Sequence, residues 1–154
     1  MGEELIQTAF DNRLMKNRAQ VDAFEAALAE YSGRMDASDL PTLLSIFDDD
    51  TVHHEVMFGL VHLIDKFPAG RWVPAFLQEL PRMMPRASEW ADTLMARTLN
   101  GAETNELLAR ELGRLPADSS ALALQLLADL SRAKPKPVGV RAEAMLASLQ
   151  GAST

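Results

Sequence analysis

An all-α protein of about seven to eight short helices is predicted by three features of the sequence. Apolar residues recur at three- and four-residue spacing along most of the chain, the period of a helix face and not of a strand. Leu, Ala and Met are abundant while β-branched residues are sparse, a composition that favours helices over sheets. Prolines, glycines and clustered polar residues cut the periodic pattern into amphipathic segments. With 154 residues, 47% hydrophobic and 24% charged side chains and a mean hydropathy of -0.07, the chain fits one domain spanning 1–154, ordered almost throughout.

The first segment, "LIQTAFDNRLMKNRAQVDAFEAALAEYSGRM", places Ile6, Phe10, Leu14, Val21, Phe24, Leu28, Tyr31 and Met35 on one stripe. Asn17 interrupts it, so this is one long helix or two broken near Asn17. Gly33 and "RMDAS" end it, and Ser38 or Asp39 can cap a short helix in "DLPTLLSIF", where Pro41 is tolerated in the first turn. "DDDT" supplies possible caps for the third helix and puts negative charge at its positive end. The third helix carries Val52, Val56, Leu60, Leu63, Ile64 and Phe67 inward, and Pro68 with Gly70 closes it. Its apolar face is complete without a histidine, so His54, Glu55, Gly59, His62 and Lys66 project from the other side.

"GRWVPAFLQELPRMM" forms a fourth stripe of Trp72, Phe76, Leu77, Leu80 and Met84, which Pro81 ends or kinks. "SEWADTLMARTLNG" follows with Ser88 as N-cap, Trp90, Ala91, Leu94, Met95 and Leu99 inward, and Asn100 with Gly101 as the stop. Three further helices bury Leu107, Leu108, Leu112 and Leu115, then Leu122, Leu126, Leu127 and Leu130, then Val138, Ala142, Met145, Leu146 and Leu149. "RAKPKP", residues 132–137, is a short linker before the terminal helix. Short connections make neighbours pack as αα-hairpins, stacked in a HEAT-like manner or gathered in a compact bundle. "MGEELIQTAFDNRLMKN" could pack on its own domain or mediate self-association, which leaves the oligomeric state open.

The net charge of -7 is unevenly distributed: residues 1–65 hold 13 Asp or Glu against 4 Lys or Arg, and residues 66–154 hold 9 against 11. A first half at -9 beside a second at +2 disfavours nucleic acid, whose phosphates bind through Lys and Arg. It suits a cationic protein partner. Cysteine is absent, which excludes disulfides, thiolate zinc sites and cysteine nucleophiles. The N-terminus lacks the pattern of a signal peptide and no apolar run approaches the roughly 20 residues of a membrane span, so a soluble cytoplasmic protein is expected.

All three histidines, His53, His54 and His62, lie in one segment beside acidic residues. A metalloprotease helix places two histidines four residues apart around a glutamate so that both imidazoles reach one ion. Here His54 and His62 are eight residues apart, about 12 Å along a helix axis, too far for one ion without another segment. A solvated helix face also gives Glu55 or Asp65 neither the desolvation nor the partner that acid–base tuning requires. No phosphate loop, Walker motif or nucleophile elbow is present. The reading is of a protein that is not an enzyme and takes no metal and no cofactor. A partner-binding surface made of Asp48, Asp49, Asp50, His54, Glu55 and His62 remains, with Gly59 opening a gap for a partner or for a neighbouring helix.

Residues 55–100 resemble the immunity-protein-30 family of bacterial polymorphic toxin systems. The resemblance is carried by "VMFGLVHLIDKFP" with His62 and Phe67, and by "SEWADTLMARTLN" with Trp90, Arg97 and Asn100. It implies an α-helical antidote encoded beside a secreted or contact-delivered toxin, binding the toxin's C-terminal domain and occluding its active or substrate-binding surface, without fixing the toxin's chemistry. Within that reading Trp90 is a core residue, Asn100 caps a helix end, and Arg97 projects opposite Trp90 with Glu89 or a loop carbonyl as candidate partner. The competing reading is a non-catalytic helical-repeat adaptor for a cellular protein.

Overall fold

Asn17 breaks the first apolar run into two helices. The computed structural model describes residues 2–132 and 137–152, and places α1 at Gly2–Asp11 and α2 at Arg18–Tyr31. Asn17 adopts an extended conformation and its side-chain oxygen accepts the Gln20 N–H at 2.9 Å, satisfying one of the donors a helix start leaves free. Just before it, Met15 is fully buried with φ 51°, a left-handed conformation that costs a non-glycine residue about 1–2 kcal/mol. Burying this side chain offsets that cost at the turn where the chain reverses. α1 and α2 then pack together through Ile6, Ala9, Phe24, Ala27 and Tyr31.

A 3₁₀ turn, Ala37–Asp39, leads into the short α3, Leu40–Leu44, with Pro41 in its first turn as expected. The cap is Asp36, whose carboxylate accepts the Ser38 N–H at 3.0 Å. Asp39, expected as a cap, instead accepts the Tyr31 hydroxyl at 2.7 Å. α4 is His54–Asp65, beginning two residues after Val52. The Val52 N–H donates to the Leu14 carbonyl at 2.9 Å, so that residue belongs to an extended segment pinned on the α1–α2 turn and is 60% exposed. Met57 and Val61 complete the buried face with Leu60, Leu63 and Ile64.

The two helices expected between residues 70 and 101 form the continuous α5, Ala69–Asn100, with a break in conformation at Ala87 (φ -140°, ψ 39°). A proline cannot donate to the carbonyl four residues back, so Pro81 and Pro85 each remove one rung. The helix runs through Pro81 and gives way only two residues past Pro85. Trp72, Phe76, Leu77 and Leu80 are buried before the break, with Met83 rather than Met84, and Trp90, Ala91, Leu94, Met95 and Leu99 after it. Gly101 separates α5 from α6, Ala102–Leu112. A Cβ there would lie 2.6 Å from Thr104 Oγ1, a hydroxyl that donates to the Thr98 carbonyl at 2.8 Å.

α6 buries Leu107, Leu108 and Leu112 as the pattern predicts. α7, Ala117–Ser131, buries Ala123, Leu126 and Leu127, with Leu122 and Leu130 half-buried. α8, Pro137–Ala152, contributes Ala142 and Met145. Of the expected linker, residues 133–136 lie outside the described residues; Arg132 closes α7 and Pro137 opens α8.

Helices pair at both ends of the chain, α1 on α2 and α7 on α8, and α5 joins them by touching α3, α4, α6, α7 and α8. Buried side chains from Ile6 to Met145 form one connected apolar cluster. Among the described residues there is no strand, and no helix is long and apolar enough to cross a membrane.

Candidate functional site

The three aspartates expected to face a partner occupy three different environments. Asp48 is 6% exposed; its carboxylate accepts from Arg13 Nε at 3.2 Å and from the Asp50 N–H at 2.9 Å. Asp49 reaches the break in α5, where its carboxylate accepts the Glu89 N–H at 3.2 Å, the Trp90 N–H at 3.4 Å and the Ser88 hydroxyl at 3.3 Å. Asp49 thus caps the second half of α5 from 40 residues away in sequence, the role expected of Ser88. It makes no cap for α4, where His53 holds the N-cap position and makes no side-chain cap bond. Of the three, only Asp50 is exposed.

The backbone repeats these ties. The Asp49 N–H donates to the Arg86 carbonyl at 2.9 Å, Arg86 Nη2 donates to the Ser45 carbonyl at 2.6 Å, and Trp90 Nε1 donates to the Asp48 carbonyl at 3.1 Å. Loop 45–50 is therefore built into the α5 break by both main chain and side chain.

The outward face of α4 behaves differently. His54, Glu55, Gly59 and His62 are all exposed, as the stripe of buried residues on the opposite side requires. His54 lies on the Trp90 ring at 5.5 Å between centroids, nearly parallel to it, and His62 lies on Phe58 at 5.3 Å. Phe58 meets Trp90 edge-on at 6.0 Å, and Trp90 meets Phe47 at 5.6 Å. An aromatic ladder thus runs from the core to the surface and ends in two imidazoles, and its Phe47–Trp90 and Phe58–Trp90 pairs add about 0.5–1.5 kcal/mol each beyond burial. The histidines sit on different rings. Among the described residues no group of three or more His, Asp or Glu side chains is placed to hold a metal ion.

Glu55 is the titratable group of this face with a displaced pKa. Its own N–H, bonded to the carboxylate, and then His53 Nδ1 at 3.1 Å hold it below the usual range. The charge of Glu55 is thus secure at neutral pH.

Trp90 is 4% exposed and is a core residue, as expected. Arg97 finds neither Glu89 nor a loop carbonyl: its guanidinium pairs through Nη2 with Asp65 at the end of α4 and lies 5.9 Å from the Phe58 ring centroid. That ion pair clamps α4 to the second half of α5 beside a cleft of about 680 Å³ lined by Phe67, Trp72 and Thr104 among others. Asn100 is the last residue of α5 but not its cap; its side-chain oxygen accepts from Arg141 of α8 at 2.5 Å. The free carbonyls there are taken by Thr104, on Thr98, and by Asn105 Nδ2, on Leu99 at 3.1 Å.

Sequence reasoning missed Asp49 as a distant cap and Asp92 altogether. Asp92, on α5, has its pKa raised by burial first and then by the neighbouring carboxylates of Asp129, Asp49 and Glu89. Its signal in sequence was an acid at a half-inward position of an otherwise regular stripe.

A family model described as Immunity protein 30 matches residues 11–108, from the end of α1 into α6. The match takes in loop 45–50, the outward face of α4 and the Asp65–Arg97 clamp. No curated protein and no solved structure matches the chain.

Proposed function

The chain belongs to the Immunity protein 30 family, the immunity proteins of toxin systems, and on that premise we propose that it binds a cognate bacterial toxin domain in the cytoplasm and neutralises it by occluding its active or substrate-binding surface. The observation that carries this reading is the outward face of α4. It lies within the family match, and it exposes His54, Glu55 and His62 beside Asp50.

These side chains are spare as far as the fold is concerned. Glu55 touches His53 and its own main chain, and the imidazoles rest on the outer rungs of the aromatic ladder. Asp48 and Asp49 serve the same surface indirectly, by holding Asp50 and the start of α4 in place. With residues 1–65 at 13 acids against 4 bases, the face is negative and suits a toxin surface that is positive because it handles an anionic substrate.

The test is protection of cells that express the toxin domain encoded beside this chain, together with calorimetric titration of the purified pair. Reversing Asp50 and Glu55 together (Asp50→Lys with Glu55→Lys) is expected to abolish protection and weaken binding by about 100-fold or more, with most of the low-salt loss in the association rate. Full protection by a double variant that melts like the parent would remove this face from the account.

A further inference from the structure

Gly59 is a residue of α4 that the fold does not need. It sits in the middle of the helix, where glycine is less favourable than alanine. Its φ is not in the left-handed region, and beyond the backbone of its own turn a Cβ placed on it would meet no atom of the described residues within 4 Å. Gly101 shows the opposite case, since a Cβ there collides with Thr104. The neighbouring-helix reading of Gly59 therefore has no contact to support it.

What the missing side chain does leave open is one wall of a groove of about 370 Å³ between α2 and α4. Its walls include the apolar side chains of Leu28 and Val56, with Glu25 on the α2 rim and His62 and Lys66 on the α4 side. Glu25 is exposed and has no hydrogen-bond or ion-pair partner among the described residues. The groove adjoins the face carrying Glu55 and shares His62 with it.

We propose that this groove receives a long cationic side chain, arginine or lysine, from the toxin domain. Its methylene stem lies along Leu28 and Val56, its charge meets Glu25, and the toxin's main chain passes over Gly59. Lys66 sets the direction, since a cation entering the groove is repelled from that end and drawn to the Glu25 end. A second copy of this chain is disfavoured as occupant, because it would bring a half with 13 acids and 4 bases against another of the same charge. The proposal rests on the immunity reading and identifies where on the toxin-facing surface the tightest contact lies.

The experiment titrates the toxin domain encoded beside this chain into the full-length protein and five variants, Glu55→Lys among them, with melting temperatures recorded for each. Gly59→Ala is expected to melt about 2–4 °C higher than the parent and yet bind about tenfold more weakly. Gly59→Lys, which fills the groove with a competing cation, and Glu25→Lys are expected to lose about 100-fold or more. Gly70→Ala adds a methyl group to another helical glycine with open space around it, outside this groove, and is expected to bind like the parent.

Parental binding by both Gly59 variants overturns the proposal, as does a lower melting temperature for Gly59→Ala, which would give the glycine a role in the fold. If the Gly59 variants bind normally while Glu55→Lys does not, the groove is wrong and the α4 face stands. If none of these changes matters, or the parent does not bind this toxin domain, face and groove fall together. Loss of self-association in Gly59→Lys, measured by sedimentation with toxin binding intact, would assign the groove to a second copy and also overturn it.

Discussion

Loop 48–50 and the outward face of α4 are neighbours in sequence, similar in composition and opposite in what they do. Both are acidic and both read as solvated surface from the sequence. In the folded chain Asp48 and Asp49 are joined to Arg13, Ser88, Glu89 and Trp90, whereas among the described residues Glu55 bonds only to its own main chain and to His53, itself part-exposed. A run of charge is not a docking surface merely because it is charged; what matters is whether the fold has already taken up its lone pairs. Asp48 spends its carboxylate on Arg13 and Asp49 on α5, whereas the helix face leaves its own exposed.

Substitutions that separate stability from binding can break this contrast. The largest expected effect on stability is in the loop. Asp49→Ala removes the cap of the second half of α5 and is expected to cost about 1–2 kcal/mol, read by urea unfolding. Asp48→Ala leaves Arg13 Nε and the Asp50 N–H without their acceptor and is expected to cost about the same, discounted because Arg13 is part-exposed. If either variant unfolds like the parent, the loop is not the structural element described here.

Gly101→Ala comes next. The added methyl forces Thr104 off the Thr98 carbonyl and is expected to cost about 1 kcal/mol, without touching the α4 face.

Asp92 gives an effect of opposite sign. Its pKa is raised in the folded chain, so the fold favours the protonated form, and the folded state holds a proton where the unfolded state has released it. Stability from this group is present at acid pH and falls as pH rises through the window above the ordinary value of 3.8. Asp92→Asn is therefore expected to melt higher than the parent at pH 7, with the gap closing as pH is lowered towards 4. An unchanged melting temperature at both pH values would contradict it.

The smallest stability effect belongs to the helix face. His54→Ala, Glu55→Gln and His62→Ala are each expected to shift unfolding by about 0.5 kcal/mol or less, and the histidine variants are expected to lose no more than the outer contacts of the aromatic ladder.

The helices and their buried faces were legible in the sequence because both are local properties. The spacing of Phe24, Tyr31, Leu60, Ile64, Leu94 and Leu108 placed each of them in the core, where all are buried, and the outward projection of His54, Glu55 and His62 followed from the same period. The errors share one physical cause, which is contact across long separations. Val52 reads as part of the α4 stripe because its bond to the Leu14 carbonyl has no local signature. Ser88 looked like the cap of its own helix because nothing nearby indicates that Asp49 arrives there first. Asp65 as the partner of Arg97, 32 residues on, was hidden for the same reason. Gly59 stands out in the helix pattern, but only the fold shows that the space beside it is open.

The central claim is that the toxin meets Asp50, the outward face of α4 and its groove with α2, while Asp48 and Asp49 stay part of the scaffold. Hydrogen–deuterium exchange on the complex with the toxin domain encoded beside this chain tests it most directly. The account predicts slowed exchange in residues 24–32 and 54–66 on binding. Slowed exchange confined to α6–α8, with residues 54–66 unchanged, would contradict it.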